Sequence, residues 1–233
     1  MTKKNLFSIL PSAFSKIRFN LKFIIIMLCI IFINNFCFSQ NLTPVQGGNG
    51  KYGYVNAKGD TVISLRFEAA NPFSENLAAV KQKGRWGYIV TNGKATIPFK
   101  YDTAYTFHQQ LAKVAMNNKW GYINKKGKPM VPIKYAQIGT YSEGMVPIEI
   151  NGVWGYFNKK GIELITARYV FADAFYEGLA RVKEYEKFGY INKKGIVAIP
   201  LVYDDAENFD GNYAKVQVGG AWRTINKEGV MMD

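Results

Sequence analysis

The sequence predicts an all-β protein built from tandem repeats. Three observations predict it. Aromatic rings recur at Tyr52, Trp86, Trp120, Trp154, Phe188 and Trp222, 34 residues apart each time. A glycine stands seven places after each ring, at Gly59, Gly93, Gly127, Gly161, Gly195 and Gly229. The 233 residues contain 15 Tyr, 16 Phe and 22 Gly, a composition that favours strands broken by many turns. A period between about 20 and 50 residues marks stacked supersecondary units.

The N-terminus reads as a targeting segment, not as part of the fold. Residues 1–39 carry Lys3, Lys4, Lys16, Arg18 and Lys22 and no acid, and Phe23 to Ile33 is an unbroken apolar run. That run is shorter than the roughly 20 residues a membrane-spanning helix needs. A basic region, an apolar core and a small-residue exit are the layout of a secretory signal, with cleavage expected after Ser39. The alternative is an uncleaved N-terminal anchor, the only membrane attachment expected. Removing these residues takes the formal charge from +13 to +8 and takes away both cysteines, Cys29 and Cys37. The remaining 40–233 would hold six repeat units, with no thiol for a nucleophile or a metal.

Each unit reads as three strands. "LAAVKQKG" (77–84) and its counterparts from Leu111, Met145, Leu179 and Tyr213 form a first strand. "WGYI" (86–89) forms a second and "KATIP" (94–98) a third. Asn-Lys-Lys-Gly at 124–127 and 192–195 joins second to third. Asn at the first place suits a type I turn, and Gly at the fourth supplies the left-handed residue of the bulge that follows. Pro98, Pro132 and Pro200 are expected to end the third strand, since proline cannot donate to a ladder. A connector follows, carrying aromatics at 101 and 107 and their counterparts. It is expected to make a turn or one short helical turn. The Trp and the Tyr two places on share a strand face, so the large ring reads as core, packed on the connector aromatics. The glycine after the ring leaves bare backbone for a neighbouring unit to approach. An open superhelical stack is expected, with a closed propeller-like ring as the alternative.

The pattern W-G-Y-I-N-K-K-G-K-x-V-I-P, continued by Y-x-x-A-x-x-F-S-E-G-L-A-x-V-K, resembles the WG-repeat (KWG-type) family over about 42–231. The resemblance implies a β-rich module that mediates interactions, and it supplies no catalytic residue. Departures fall at Tyr52, at Phe188 and at Trp222-Arg223, where the glycine is missing.

Catalytic signatures are sparse. His108 is the single histidine and stands on a connector, where a turn position is expected. No zinc set, phosphate loop or nucleophile elbow is present. Asp204, Asp205, Glu207 and Asp210 lack the spacing of a calcium loop. No cofactor or metal is expected. Lys125, Lys126, Lys159, Lys160, Lys193, Lys194 and Lys227 all fall on the same hairpin tip. Stacked units would align them as a basic ridge, opposite the acid-rich connectors, able to attract an anionic polymer or surface. The expected function is therefore an exported, monomeric, non-enzymatic scaffold at the cell envelope or outside the cell. Its expected partner is a protein, an anionic polysaccharide or the envelope surface. Nucleic acid is not expected, because no recognition motif accompanies the charge. The alternative is an envelope hydrolase of polysaccharide.

Overall fold

The computed structural model describes residues 41–232, so the expected targeting segment lies outside the described residues. The chain forms six antiparallel sheets in sequence order. The first holds β1 (Thr43–Gln46), β2 (Tyr52–Val55) and β3 (Thr61–Phe67). The second holds β4 (Ala69–Ala70), β5 (Ala78–Gln82), β6 (Arg85–Ile89) and β7 (Ala95–Tyr101). The third holds β8 (Thr103–Ala104), β9 (Leu111–Met116), β10 (Lys119–Asn124) and β11 (Pro129–Tyr135). The fourth holds β12 (Met145–Ile150), β13 (Val153–Asn158) and β14 (Glu163–Tyr169). The fifth holds β15 (Phe171–Tyr176), β16 (Leu179–Glu184), β17 (Lys187–Asn192) and β18 (Val197–Tyr203). The sixth holds β19 (Asp205–Ala206), β20 (Tyr213–Val218) and β21 (Ala221–Asn226). No helix occurs among the described residues.

The three expected strands are present, but the connector does not turn helically. Its first residues add a fourth strand to the next sheet, as β8 does on β9. The reason lies in backbone hydrogen bonding. The Asp102 and Tyr105 N–H groups leave one sheet and find the Ala115 and Lys113 carbonyls of the next, at 2.8 and 3.0 Å. Each sheet is thereby sewn to the one before it. In the fourth sheet a single bridge, Ile138 to Ile148, takes this place, and in the sixth Ile225 to Met231 stands for the third strand.

The prolines do not end the third strand. Pro98, Pro132 and Pro200 sit inside β7, β11 and β18, and all three are exposed. These are edge strands. The missing donor therefore costs no ladder bond.

Five apolar clusters hold the array together, and each spans two neighbouring sheets. Leu42, Tyr54 and Ile63 of the first sheet pack with Ala78, Val80 and Ile89 of the second, and the pattern repeats to Tyr190, Ile199, Val216 and Ile225. Among the described residues no cluster joins the sixth sheet to the first, so the arrangement is an open one.

Burial separates the aromatic columns. In the first five units the tyrosine two places after the ring position is buried, while the ring itself is not: Tyr54, Tyr88, Tyr122, Tyr156 and Tyr190. Its hydroxyl donates to the connector carbonyl 17 residues on: Asn71, Tyr105, Gly139, Asp173 and Glu207, at 2.5 to 2.8 Å. Phe107 packs on Tyr88 with ring centres 4.9 Å apart, not on Trp86. Trp86, Trp120 and Trp154 are half-buried at the margin of these clusters, and Trp222 is 44% exposed. Trp120 packs on Tyr105 at 6.2 Å, with the Lys113 ammonium 4.8 Å from its ring centre. Trp120→Ala is expected to lower stability by about 2 kcal/mol, less than for a fully buried ring. Urea denaturation measures this. No loss of stability would mean that the ring serves something other than packing.

The glycine after the ring has a different cause from the expected one. A Cβ at Gly87, Gly121, Gly155 or Gly189 would lie 2.6 to 2.8 Å from backbone of the same unit's own third strand. The ladder shifts register at this point in each of the four units. A bulge presses the third strand onto the second, and only hydrogen fits between them. Arg223 breaks the glycine column where the described residues place no third strand across it.

Candidate functional site

The hairpin tips and the connector turns share one edge of the array. At the tip, the Asn124 side-chain oxygen accepts from the Lys126 and Lys128 N–H groups at 3.0 Å. Asn158, Asn192 and Asn226 do the same in their own units. Gly127 closes the turn with φ +75° and an N–H to the Asn124 carbonyl at 2.8 Å. The type I turn with its left-handed glycine is the one the sequence predicts. These bonds make each tip a fixed platform for its lysines.

The turn that opens the next first strand carries Glu75, Gln109, Glu143 and Glu177, spaced by the repeat and all at left-handed φ between 49° and 52°. Few side chains adopt this backbone without cost, and such positions cluster where a contact repays it. Here each acid reaches forward. Glu75 accepts from the Gln110 N–H at 3.1 Å and pairs with Lys125 at 2.9 Å. Glu143 accepts from Gly178 at 3.1 Å and pairs with Lys193 at 2.9 Å. Glu177 accepts from Gly211 at 3.1 Å and pairs with Lys227 at 2.5 Å. Partial burial pushes the Glu75 and Glu143 carboxyls up. The N–H donors and lysines outweigh it and hold both below the ordinary carboxylate range. Glu177 is held low chiefly by Lys227.

The seven tip lysines therefore divide in two. Lys125, Lys193 and Lys227 face acids of the connector turns, which lie beside the tips and not opposite them. Lys126, Lys159, Lys160 and Lys194 have no carboxylate within ion-pair distance among the described residues. Lys159 lacks one because Gln109 stands where the other turns carry Glu. Pairing at a separation of 50 residues left no sequence signal beyond the recurrence of Glu in the turn and Lys in the tip.

Other candidates take structural places. His108 is exposed and closes a connector turn with its N–H to the Leu111 carbonyl at 2.8 Å. Asp204 pairs with Lys187 at 2.5 Å and accepts from the Gly219 N–H at 2.8 Å. Asp205 bonds to the next backbone N–H, of Ala206. Among the described residues no three His, Cys, Asp or Glu side chains gather closely enough to hold a metal ion.

The family model described as a WG containing repeat matches the chain five times in tandem, at residues 52–86, 86–120, 120–154, 154–188 and 188–222. No curated protein matches the sequence. Among solved structures, Hsv2 of Kluyveromyces lactis is similar at 10% identity and a TM-score of 0.45, covering 72% of this chain and 63% of that one. The chain thus spans less than two thirds of the length of the Kluyveromyces lactis protein. A eukaryotic initiation factor is similar at 13% identity and a TM-score of 0.48, covering 84% of this chain and 66% of that one.

Proposed function

The chain belongs to the WG-containing repeat family, and from that premise we propose that it is a non-enzymatic interaction scaffold, exported to the cell envelope or beyond it. One observation carries the reading: the fixed tips present Lys126, Lys159, Lys160 and Lys194 along one edge with no carboxylate within ion-pair distance among the described residues. Neighbouring packed sheets lie about 10 Å apart, so such a row matches a partner with charges repeated along its length. An anionic polysaccharide or envelope surface has that character, and binding to it is electrostatic and salt-sensitive. The repeated edge supports a surface function and offers no constellation of acid, base and nucleophile for turnover. Export rests on the basic and apolar layout of residues 1–39.

Capture of the protein on immobilised heparin, a generic polyanion, tests the reading. Retention is expected to fall steeply with salt. It should be lost when Lys126, Lys159, Lys160 and Lys194 are replaced together by glutamine. Retention indifferent to both salt and substitution would sink the idea. N-terminal sequencing of the protein from its native cells is expected to begin at Gln40.

A further inference from the structure

A second clamp joins consecutive units on the ring side. In its first copy Glu68 accepts the Gly84 N–H at 3.0 Å and, among the described residues, makes no ion pair with Lys51; a later copy keeps its lysine but lacks its acid altogether. The residue before the ring is Lys51, Arg85, Lys119, Val153 and Lys187 in successive units. Sixteen places after the ring stand Glu68, Asp102, Ala136, Val170 and Asp204. Asp102 pairs with Arg85 and also accepts the Asn117 N–H from the next unit's first hairpin, at 2.5 Å. Asp204 does the same with Lys187 and the Gly219 N–H, at 2.5 and 2.8 Å. Between the fourth and fifth units both members are valine, which leaves no charge to satisfy. Between the third and fourth, Lys119 is kept and the acid is replaced by Ala136. Lys119 has no carboxylate within ion-pair distance among the described residues. The turn it would have clamped, at Asn151-Gly152, instead bonds within itself through Gly152 N–H and Glu149, at 2.8 Å.

The missing acid coincides with a groove of about 640 Å³ along this boundary, whose lining includes two cations, Lys119 and Lys134, two acids, Glu149 and Glu163, and Tyr135 and Asn151. This volume is in the range of small-ligand sites, about 300–1,000 Å³. Tyr135 is half-buried here, whereas its counterparts Tyr101, Tyr169 and Tyr203 are buried. The ring is tilted against Phe157 with centres 6.1 Å apart, the Lys134 ammonium lies 5.3 Å from its centre, and the exposed part faces solvent.

We propose that this groove binds an acidic sugar of the uronic type, whose carboxylate takes the place that Asp102 and Asp204 occupy elsewhere. The carboxylate pairs with Lys119 and accepts the Asn151 N–H, the counterpart of the Asn117 N–H that Asp102 receives. Glu149, Glu163 and the Asn151 amide accept and donate to the sugar hydroxyls. The apolar face of the sugar ring lies on the exposed part of Tyr135. One vacated carboxylate position at Ala136, a polar rim and one aromatic surface together favour a sugar acid over an acidic peptide. A peptide would leave the two glutamates facing its own carboxylates. Gly161 of one hairpin tip lines the groove, but Lys126, Lys159, Lys160 and Lys194 do not, so the site does not use the tip lysines.

Titration of the full chain with galacturonate, followed by calorimetry or NMR, tests this. Saturable binding is expected, with galactose at least about tenfold weaker, the factor a charge-assisted bond supplies. Lys119→Gln should weaken galacturonate by a similar factor. Ala136→Asp should abolish it by restoring an internal carboxylate, while the melting temperature stays level or rises. The fourfold tip-lysine variant should bind galacturonate unchanged, even where it no longer binds heparin. Absence of galacturonate binding, equal binding of galactose, or full binding by A136D would each overturn the proposal. So would binding of a glutamate-rich peptide without binding of galacturonate.

Discussion

Gly121→Val is expected to cost about 3–5 kcal/mol, comparable with the whole stability of a marginal domain. A Cβ there would lie 2.6 Å from the Val131 carbonyl oxygen and 2.8 Å from the Ile133 Cα and the Pro132 carbonyl oxygen. All three are backbone atoms, so no side-chain rotation can relieve the clash. The third strand β11 must lift off β10, and with it goes the burial of Val131 against the next unit. Arg223→Ala is the control. The same column already carries a side chain there, and the change is expected to stay within about 0.5 kcal/mol. Urea denaturation of both variants decides the matter. A Gly121→Val protein as stable as the parent would show that the bulge is not a fixed feature of the unit.

Raising the pH above about 10 is expected to unfold the protein cooperatively. Burial pushes the Tyr122 hydroxyl up to about 12. Burial also drives those of Tyr54, Tyr88, Tyr156 and Tyr190 upward from their ordinary value. The neutral hydroxyl donates to a connector carbonyl and cannot do so once ionised. These folded-state values lie above the unfolded one. The stabilisation is therefore full below about pH 10 and is lost as pH rises through the folded values. For Tyr122 two units of difference correspond to about 2–3 kcal/mol, and four similar groups act in the same direction. Tyrosinate absorbance from these rings should appear together with loss of the β-sheet circular dichroism. Separate titration of all five near their ordinary value, with the sheets intact, would refute this. Tyr122→Phe should flatten the alkaline slope and cost about 1–2 kcal/mol at neutral pH, because the Gly139 carbonyl then loses its donor.

These two predictions draw on different parts of what the sequence contains. The glycine column was visible by its spacing, but its cause was not. The approaching atoms come from residues ten to twelve places later, across a bulge whose existence depends on register. The tyrosine column was visible as a strand-face neighbour of the Trp. Its rank as the buried ring follows from the path of the connector, which folds back over it and meets its hydroxyl. The prolines misled because a strand-ending role and an edge-strand role look alike in sequence. Only the sheet order distinguishes them.

The repeat length, the strand composition, the tip chemistry and the all-β class are local properties. Each rests on residues within one unit, repeated often enough to stand above chance. What the tertiary structure alone decided lies between units: the fourth strand lent by each connector, the Glu-to-Lys pairs 50 residues apart, and the clamp left open at Lys119 and Ala136. Such contacts depend on how one sheet is set against the next. That setting is the sum of many weak packing terms, and no single residue pattern records it.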